Sequence, residues 1–526
     1  MKKAQPKFNY GQDLLTAGLA LKIARGKVRG VLTQESLKKV AASRKIVERL
    51  ANGDKAVYGI NTGFGPLCTT RISKKDTSTL QHNILKSHSV GVGDSIEPEI
   101  AKLMLVLKMQ ALGQGYSGIH SRTLSRIMWH IDNDVIPVVP CQGSVGASGD
   151  LAPLSHLFLP LIGLGFVTVS GTVYPSNKVL KENDLQPLTL GAKEGLALIN
   201  GTQFIAAYAV KALEQLHNCL SQADIVGAMM IEGLLGSSSP FLENLHRIRP
   251  YKGTLHVAYR MSKLLENSGI NSSHQDCDRV QDPYSLRCIP QVHGASRNAW
   301  LHLKELLEIE LNAVTDNPII VDENNAISGG NFHGQPMALP LDYVCIAASE
   351  IGNISDRRTY LSLTGIAADT PKLLMKDIGL NSAFMILQYT SAALVSENKT
   401  LCYPASADSI PTSLGQEDHV SMGSISARKV LQVVNNLEKI LAIELLCAAQ
   451  ALDFHRPLKT TPILEAVHKM VRKKITHAEV DRVFADDIEK SIAIIKSGII
   501  LKISKKINKK NKLGFNSEFD LLFEEY

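Results

Sequence analysis

Five segments with helical periodicity, at 202–236, 297–314, 340–364, 380–398 and 424–453, constrain this chain more than anything else in it. Apolar residues recur there in three- and four-residue steps, and each run exceeds the mean helix of about 11–12 residues. Helices of that length pack side by side, so the expected fold class is mainly α, with a central bundle of long helices. With 44% hydrophobic residues in 526, apolar material is ample for a large core, and wholesale disorder is excluded. Only Phe166–Val173 and Pro318–Val321 read as short β pieces, and neither repeats nor low-complexity linkers appear.

The first 55 residues read as short helices joined by glycine. Within them, 34–51 places Leu37, Val40, Ala41, Ile46, Val47 and Leu50 near one face. Helical spacing returns at 75–90 and at 99–114, the latter behind Pro98, a first-turn proline. A Gly-rich loop, 58–67, precedes both; a second loop rich in Gly, Ser and Pro fills 136–156 and is too small-residued for a helix interior. The expected organisation is 1–200 carrying both loops, 201–455 as the long-helix bundle, and 456–526 as a helical C-terminal part with a lysine-rich tail.

Charge and cysteine narrow the partners. The formal charge is +7, but six lysines between Lys502 and Lys512, with no acid among them, account for all but +1. No aromatic residue interleaves them, so the stretch reads as a solvated helix or tail and no nucleic-acid partner is expected. The eight cysteines (68, 141, 219, 277, 288, 345, 402 and 447) form no C-x-x-C pair, which fits a reducing, cytoplasmic compartment. Residues 151–177 carry no charge, yet Pro153, Pro160, Gly163, Gly165 and Gly171 break them, so no membrane span is expected. The opening residues hold no apolar core long enough for a signal segment, so none is expected.

Phosphate-loop, zinc-protease and dinucleotide motifs are absent from the sequence, and Asp150 stands where a G-x-S-x-G elbow needs its last glycine. What remains is Ala147-Ser148-Gly149 in a Gly-rich loop. In a tight bend the Gly149 nitrogen can attack the Ala147 carbonyl carbon, because glycine has no Cβ to obstruct the approach. Loss of that oxygen as water, and of the Ser148 hydroxyl as a second water, gives 4-methylideneimidazole-5-one, an electrophile that needs no external cofactor and no metal. The triplet alone is a weak signal, since it also occurs in ordinary turns.

Its surroundings carry more. VYGINTGFG (57–65), SHSVGVG (87–93), GSVGASGDLAPLSHL (143–157), EGLALINGTQ (194–203), VQDPYSLRC (280–288), TDNPII (315–320), SGGNFHGQP (328–336), LNSAFMILQYTSAALVSENK (380–399) and DSIPTSLGQEDHVSMG (408–423) follow one another in order. From Gly30 to Asp453 the chain resembles the aromatic amino acid lyases, and among them the histidine-specific group.

That resemblance implies an aspartase-like helical fold and a homotetramer with active sites shared among chains. The apolar helices 202–236 and 424–453 fit such burial. It implies that the electrophile from Ala147, Ser148 and Gly149 takes the substrate amine, turning it into a better leaving group. Tyr58 is then the first choice for the base that removes the β-proton, for which its pKa would have to fall well below about 10, with Tyr284 as a neighbour. The loop around Tyr58 is expected to act as a lid. Arg287 is implied to pair with the substrate carboxylate by its guanidinium fork. Gln281, Asn200 and Phe332 line the site. Ser87-His88 is the pattern usual in histidine-specific members, though some tyrosine-acting members share it, and His88, Met385 and Glu417 together read as an imidazole pocket. Asp150 is assigned to loop geometry, His156 and His419 to scaffold. Ile289 and Tyr403 depart from the group's usual residues. The expected activity is elimination of ammonia from L-histidine to trans-urocanate; the alternatives are a tyrosine ammonia-lyase or an aromatic 2,3-aminomutase using the same group.

Overall fold

The computed structural model describes residues 5–275, 279–322 and 325–526; Cys277 lies outside them. By spatial contact the chain forms two units, each assembled from separate stretches. The first comprises Met1–Lys211, Lys304–Asp342 and Pro404–Arg428, the second Ala212–Leu303, Tyr343–Tyr403 and Lys429–Tyr526.

The long helices are Gln203–Gly233, Ile289–Leu311, Gln335–Ser362, Met385–Leu401 and Gly423–Asp453. Two differ instructively from the periodicity. The helix expected from 297 begins at Ile289, with Pro290 in its first turn, where a missing N–H costs nothing. The helix expected from 380 begins at Met385, because Ser382 and Ala383 donate their N–H groups to the Asp481 carboxylate at 2.7 and 2.8 Å, and Ala383 sits at φ 55°.

In the first unit, helix Gln34–Asn52 starts at a Thr33 cap whose hydroxyl accepts from Ser36 N. Its buried stripe is Ser36, Val40, Ser43 and Val47, and Ala41, expected on that face, is exposed. The serines take the stripe by satisfying their hydroxyls on the Tyr10 and Val40 carbonyls. Helix Pro98–Gly113 is buried on every side from Ile100 onward, which its nearly unbroken apolar sequence demands. The N-terminal part also holds a parallel strand pair, Lys7–Asn9 on Arg29–Val31, which helical spacing does not reveal.

The uncharged stretch 151–177 resolves into helix Leu151–Phe158, one 3-10 turn and the hairpin Phe166–Val169/Thr172–Pro175. Ser170 and Gly171 make the two-residue turn, both with positive φ. Helix Leu151–Phe158 corrects the expectation of a loop through 156: Pro153 lies in its first turn, where no intrahelical N–H bond is lost. Among the described residues no helix is long and apolar enough to cross a membrane.

The second unit buries an ionic cluster in which the Asp224 carboxylate takes Arg260 Nε and Arg297 Nη2, each at 2.7 Å, and His293 Nδ1 at 2.9 Å. The lysine-rich stretch forms helix Ile499–Asn511, which packs on helix Pro462–Lys474 through Ile500 and Ser504 and leaves all six lysines exposed.

Candidate active site

Ala147-Ser148-Gly149 lies bent between two straps, both in the first unit. On one side Gly149 runs parallel to Gly201, and Asp150 N donates to Gly201 O at 2.7 Å. Gly149 has φ +78°, and a Cβ on it would fall 2.1 Å from Gly201 O, so only glycine fits. The Asn200 side chain donates to Ser148 O at 2.6 Å, while its Oδ1 is buried without a partner. On the other side Met422 N donates to Val145 O, and the Ser421 and Ser424 hydroxyls donate to the Gly146 and Ser144 carbonyls.

Asp150 anchors this turn. Fully buried, it accepts from Phe204 N and Ile205 N at 3.1 and 3.0 Å, in the first turn of helix Gln203–Gly233, where a carboxylate is favoured. Burial nonetheless pushes its carboxyl up to about 7, against the pull of those two N–H groups. His156 accepts from Gly91 N at 3.1 Å, a loop-holding contact.

The tripeptide opens on a cavity of about 1030 Å³, whose lining includes Tyr58, His88, Ala147, Ser148, Asn200, Phe332 and Glu417. Ser148 Oγ donates to Glu417 Oε1 at 2.5 Å. The other carboxylate oxygen, Oε2, accepts from Thr412 Oγ1 at 2.9 Å and Ser413 Oγ at 2.8 Å. Both hydroxyls come from a tight turn in which Ser413 and Leu414 have positive φ, and the 3-10 turn Gly65–Leu67 packs against it. Burial pushes the His88 imidazole below its usual value, against the opposing pulls of the Ile84 carbonyl and Glu417, so it is neutral at pH 7. Tyr58 Oη accepts from Gly65 N at 3.3 Å. Burial is the largest cause raising the Tyr58 hydroxyl; the Gly65 N–H opposes it, and Cys68 and Glu417 add to the rise. His419 also lines the cavity, stacked on His333 with centroids 5.8 Å apart.

Five expected site residues are not part of this lining: Gly149, held against Gly201, and Gln281, Tyr284, Arg287 and Met385, which belong to the second unit. There Gln281 and Arg287 line a separate cavity of about 840 Å³. With its amide oxygen turned to the guanidinium, Gln281 accepts from Arg287 Nη2 and Nη1 at 2.7 and 2.9 Å. Arg287 Nε donates to Asp282 O, and the guanidinium lies 4.5 Å from the centre of the Tyr284 ring. Ile289 is buried in the same unit, and Tyr403 is exposed.

Sequence reading missed three supports: the Thr412 and Ser413 hydroxyls that orient Glu417, the Ser421–Ser424 strap, and Lys108, buried behind Asn200. A lone lysine inside the apolar run LMLVLKMQALG was the available signal for the last.

Residues 15–473 match the family model for aromatic amino acid lyase. A histidine ammonia-lyase of Myxococcus xanthus (strain DK1622) is 45% identical over 499 residues, covering 95% of this chain and 98% of its own. The crystal structure of histidine ammonia-lyase from Trypanosoma cruzi superposes with a TM-score of 0.87 at 41% identity, covering 95% of each chain. A tyrosine aminomutase from Streptomyces globisporus superposes at 0.89 with 35% identity, covering 95% of this chain and 98% of that one. A family model spanning most of the chain, and relatives this similar over nearly their whole length, make the chain a member of the aromatic amino acid lyase family and a carbon–nitrogen lyase.

Proposed function

We propose that this protein is a histidine ammonia-lyase that eliminates ammonia from L-histidine to give trans-urocanate. The observation that carries the proposal is the 2.5 Å contact of Ser148 Oγ with Glu417, inside a cavity also lined by His88.

The residues fit a 4-methylideneimidazole-5-one built from Ala147, Ser148 and Gly149. The bend leaves no room for a Cβ at Gly149, Asn200 donates to the Ser148 carbonyl that becomes the ring oxygen, and Asp150 and Gly201 hold the turn closed. When formed, the group supplies an electrophilic carbon for the substrate amine.

The chain's own side chains do the remaining work. Once Ser148 has lost its oxygen as water, Glu417 Oε1 has no donor and faces the cavity, while Thr412 and Ser413 still hold Oε2. An imidazole N–H completes that carboxylate, and neutral His88 faces the ring without repelling it. Tyr58 takes the β-proton, and its glycine-rich loop closes over the cavity to exclude water.

Arg287 with Gln281 binds the substrate carboxylate. Tyr284 and Met385 complete the ring and base environment, and Phe332 covers the tripeptide. These four second-unit residues reach the cavity from other copies in a homotetramer with shared sites. Supporting that assembly, the three most exposed large apolar side chains among the described residues lie within the family-matching motifs: Val280 at 100%, Leu414 at 93% and Leu380 at 92%. The reading includes a cytoplasmic enzyme, with 1–200, 201–455 and 456–526 as its successive parts.

A substrate screen tests the assignment. Histidine should release urocanate, and Ser148→Ala should abolish release while restoring the mass of at least one lost water. Coumarate or cinnamate from tyrosine or phenylalanine, or a β-amino acid, with no urocanate from histidine, would overturn it.

A further inference from the structure

Lys108 is the buried cation at this site for which the reaction described above has no use. It is 1% exposed, inside helix Pro98–Gly113, and its Nζ donates to the Asn200 main-chain oxygen at 2.6 Å and to Gln203 Oε1 at 3.4 Å. Both acceptors are neutral. The nearby Asp316 carboxylate takes a different lysine, Lys193, at 2.6 Å. An ammonium buried without a bonded carboxylate is costly, and a methionine would fill the same space without that cost. Burial accordingly pushes Lys108 down to about 7, with Asp316 opposing the fall and Lys193 adding to it.

What Lys108 holds explains its presence. Asn200 is the residue whose amide donates to Ser148 O, and its neighbour Gly201 accepts from Asp150 N. The Asn200–Gly201 strap is therefore the surface against which the tripeptide is bent, and Lys108 ties that strap to helix Pro98–Gly113, which is buried from Ile100 onward. We infer that Lys108 is a positioning residue for maturation: by fixing Asn200 and Gly201 it holds Ala147-Ser148-Gly149 in the conformation that cyclises.

In that reaction the Gly149 nitrogen bonds to the Ala147 carbonyl carbon. The Ala147 oxygen leaves as water with the amide hydrogens of Gly149 and Ser148. The Ser148 hydroxyl leaves as a second water with the Ser148 α-hydrogen, and no oxidant is consumed. The inference rests on the proposed electrophile.

The test compares full-length wild type, Lys108→Met and Lys108→Arg by intact mass, by the mass of the peptide carrying residues 143–157, by circular dichroism, and by kcat and KM on histidine. Wild type should be two waters light. The methionine variant should keep its helix content, hold an at least fivefold smaller dehydrated fraction, and lose kcat with KM little changed. Arginine, which keeps the donors, should restore the dehydrated fraction. A folded methionine variant that is fully dehydrated with wild-type kcat would overturn the inference. So would equal losses in both variants, or loss of the folded protein in both, since either makes Lys108 a packing residue. A wild type at full sequence mass would overturn the electrophile itself, and this role with it.

Discussion

Replacing Glu417 by glutamine and by alanine should separate ring recognition from every other role of that carboxylate. In the mature site Oε2 stays engaged by Thr412 and Ser413, and Oε1 is the atom left for the imidazole N–H. Glutamine can turn its NH2 toward the two hydroxyls, which also accept, and present its oxygen to the ring. The hydrogen bond then survives and only its charge is lost. A bond to a charged group is worth about 1.5–3 kcal/mol and a neutral one about 0.5–1.5, so glutamine should cost about 1–1.5 kcal/mol. That is a roughly five- to fifteenfold fall in kcat/KM for histidine, while alanine, which removes the whole bond, should cost roughly ten- to 150-fold. Initial rates of urocanate formation, followed by ultraviolet absorbance and normalised to the dehydrated fraction from intact mass, give both ratios. Turnover of tyrosine, whose phenol offers no N–H there, should fall less than that of histidine. A glutamine variant within twofold of wild type on histidine would refute the pocket argument, and so would equal losses on both substrates.

Gly149→Ala should yield folded protein at full sequence mass, because the added Cβ would meet Gly201 O at 2.1 Å and break the bend; intact mass reads this directly. Thr412→Val removes one of the two hydroxyls on Glu417 Oε2 and should raise KM for histidine about fivefold, the equivalent of about 1 kcal/mol, with a smaller change in kcat. Burial pushes His130 down to about 4, so between pH 6.5 and 4 the unfolded chain binds a proton that the folded chain does not. Stability should therefore fall as pH drops through that window, by up to about 3 kcal/mol, and urea midpoints of His130→Leu should show a shallower fall.

The long helices were legible because each keeps its apolar period over many turns, and the start misjudged at 380 was set by a contact distant in sequence. Asp481 captures the N–H groups of Ser382 and Ala383, and nothing near residue 380 announces that. The strand pair Lys7–Asn9 and Arg29–Val31 is too short for alternation to show. At the site, motif order revealed Tyr58, His88, Ala147, Ser148, Asn200, Phe332 and Glu417, which line one cavity. It did not reveal what orients them. Thr412 and Ser413 are ordinary loop hydroxyls, and Ser424 an ordinary first-turn serine, until folding sets them against Glu417 and the Ser144 carbonyl.

Tyr58 connects chemistry to assembly. A phenol that takes a proton near neutral pH needs a cation beside it, yet burial raises the Tyr58 hydroxyl, and only the Gly65 N–H opposes the rise. None of the described residues lining the cavity is lysine or arginine, so among them the substrate's carboxylate finds no cation either. Arg287, forked on Gln281 and stacked on Tyr284, is the group proposed above to bind that carboxylate, and in the same chain it lines another cavity. If a second copy supplies it, two inactive variants should repair each other. Co-expressed Ser148→Ala and Arg287→Ala chains, assembling at random, should pair an intact tripeptide with an intact arginine in about a quarter of sites. Each variant alone should be inactive on histidine, and the Arg287→Ala chain should still be two waters light. A mixture no more active than its components would place both residues of each site in one chain and remove the argument for shared sites.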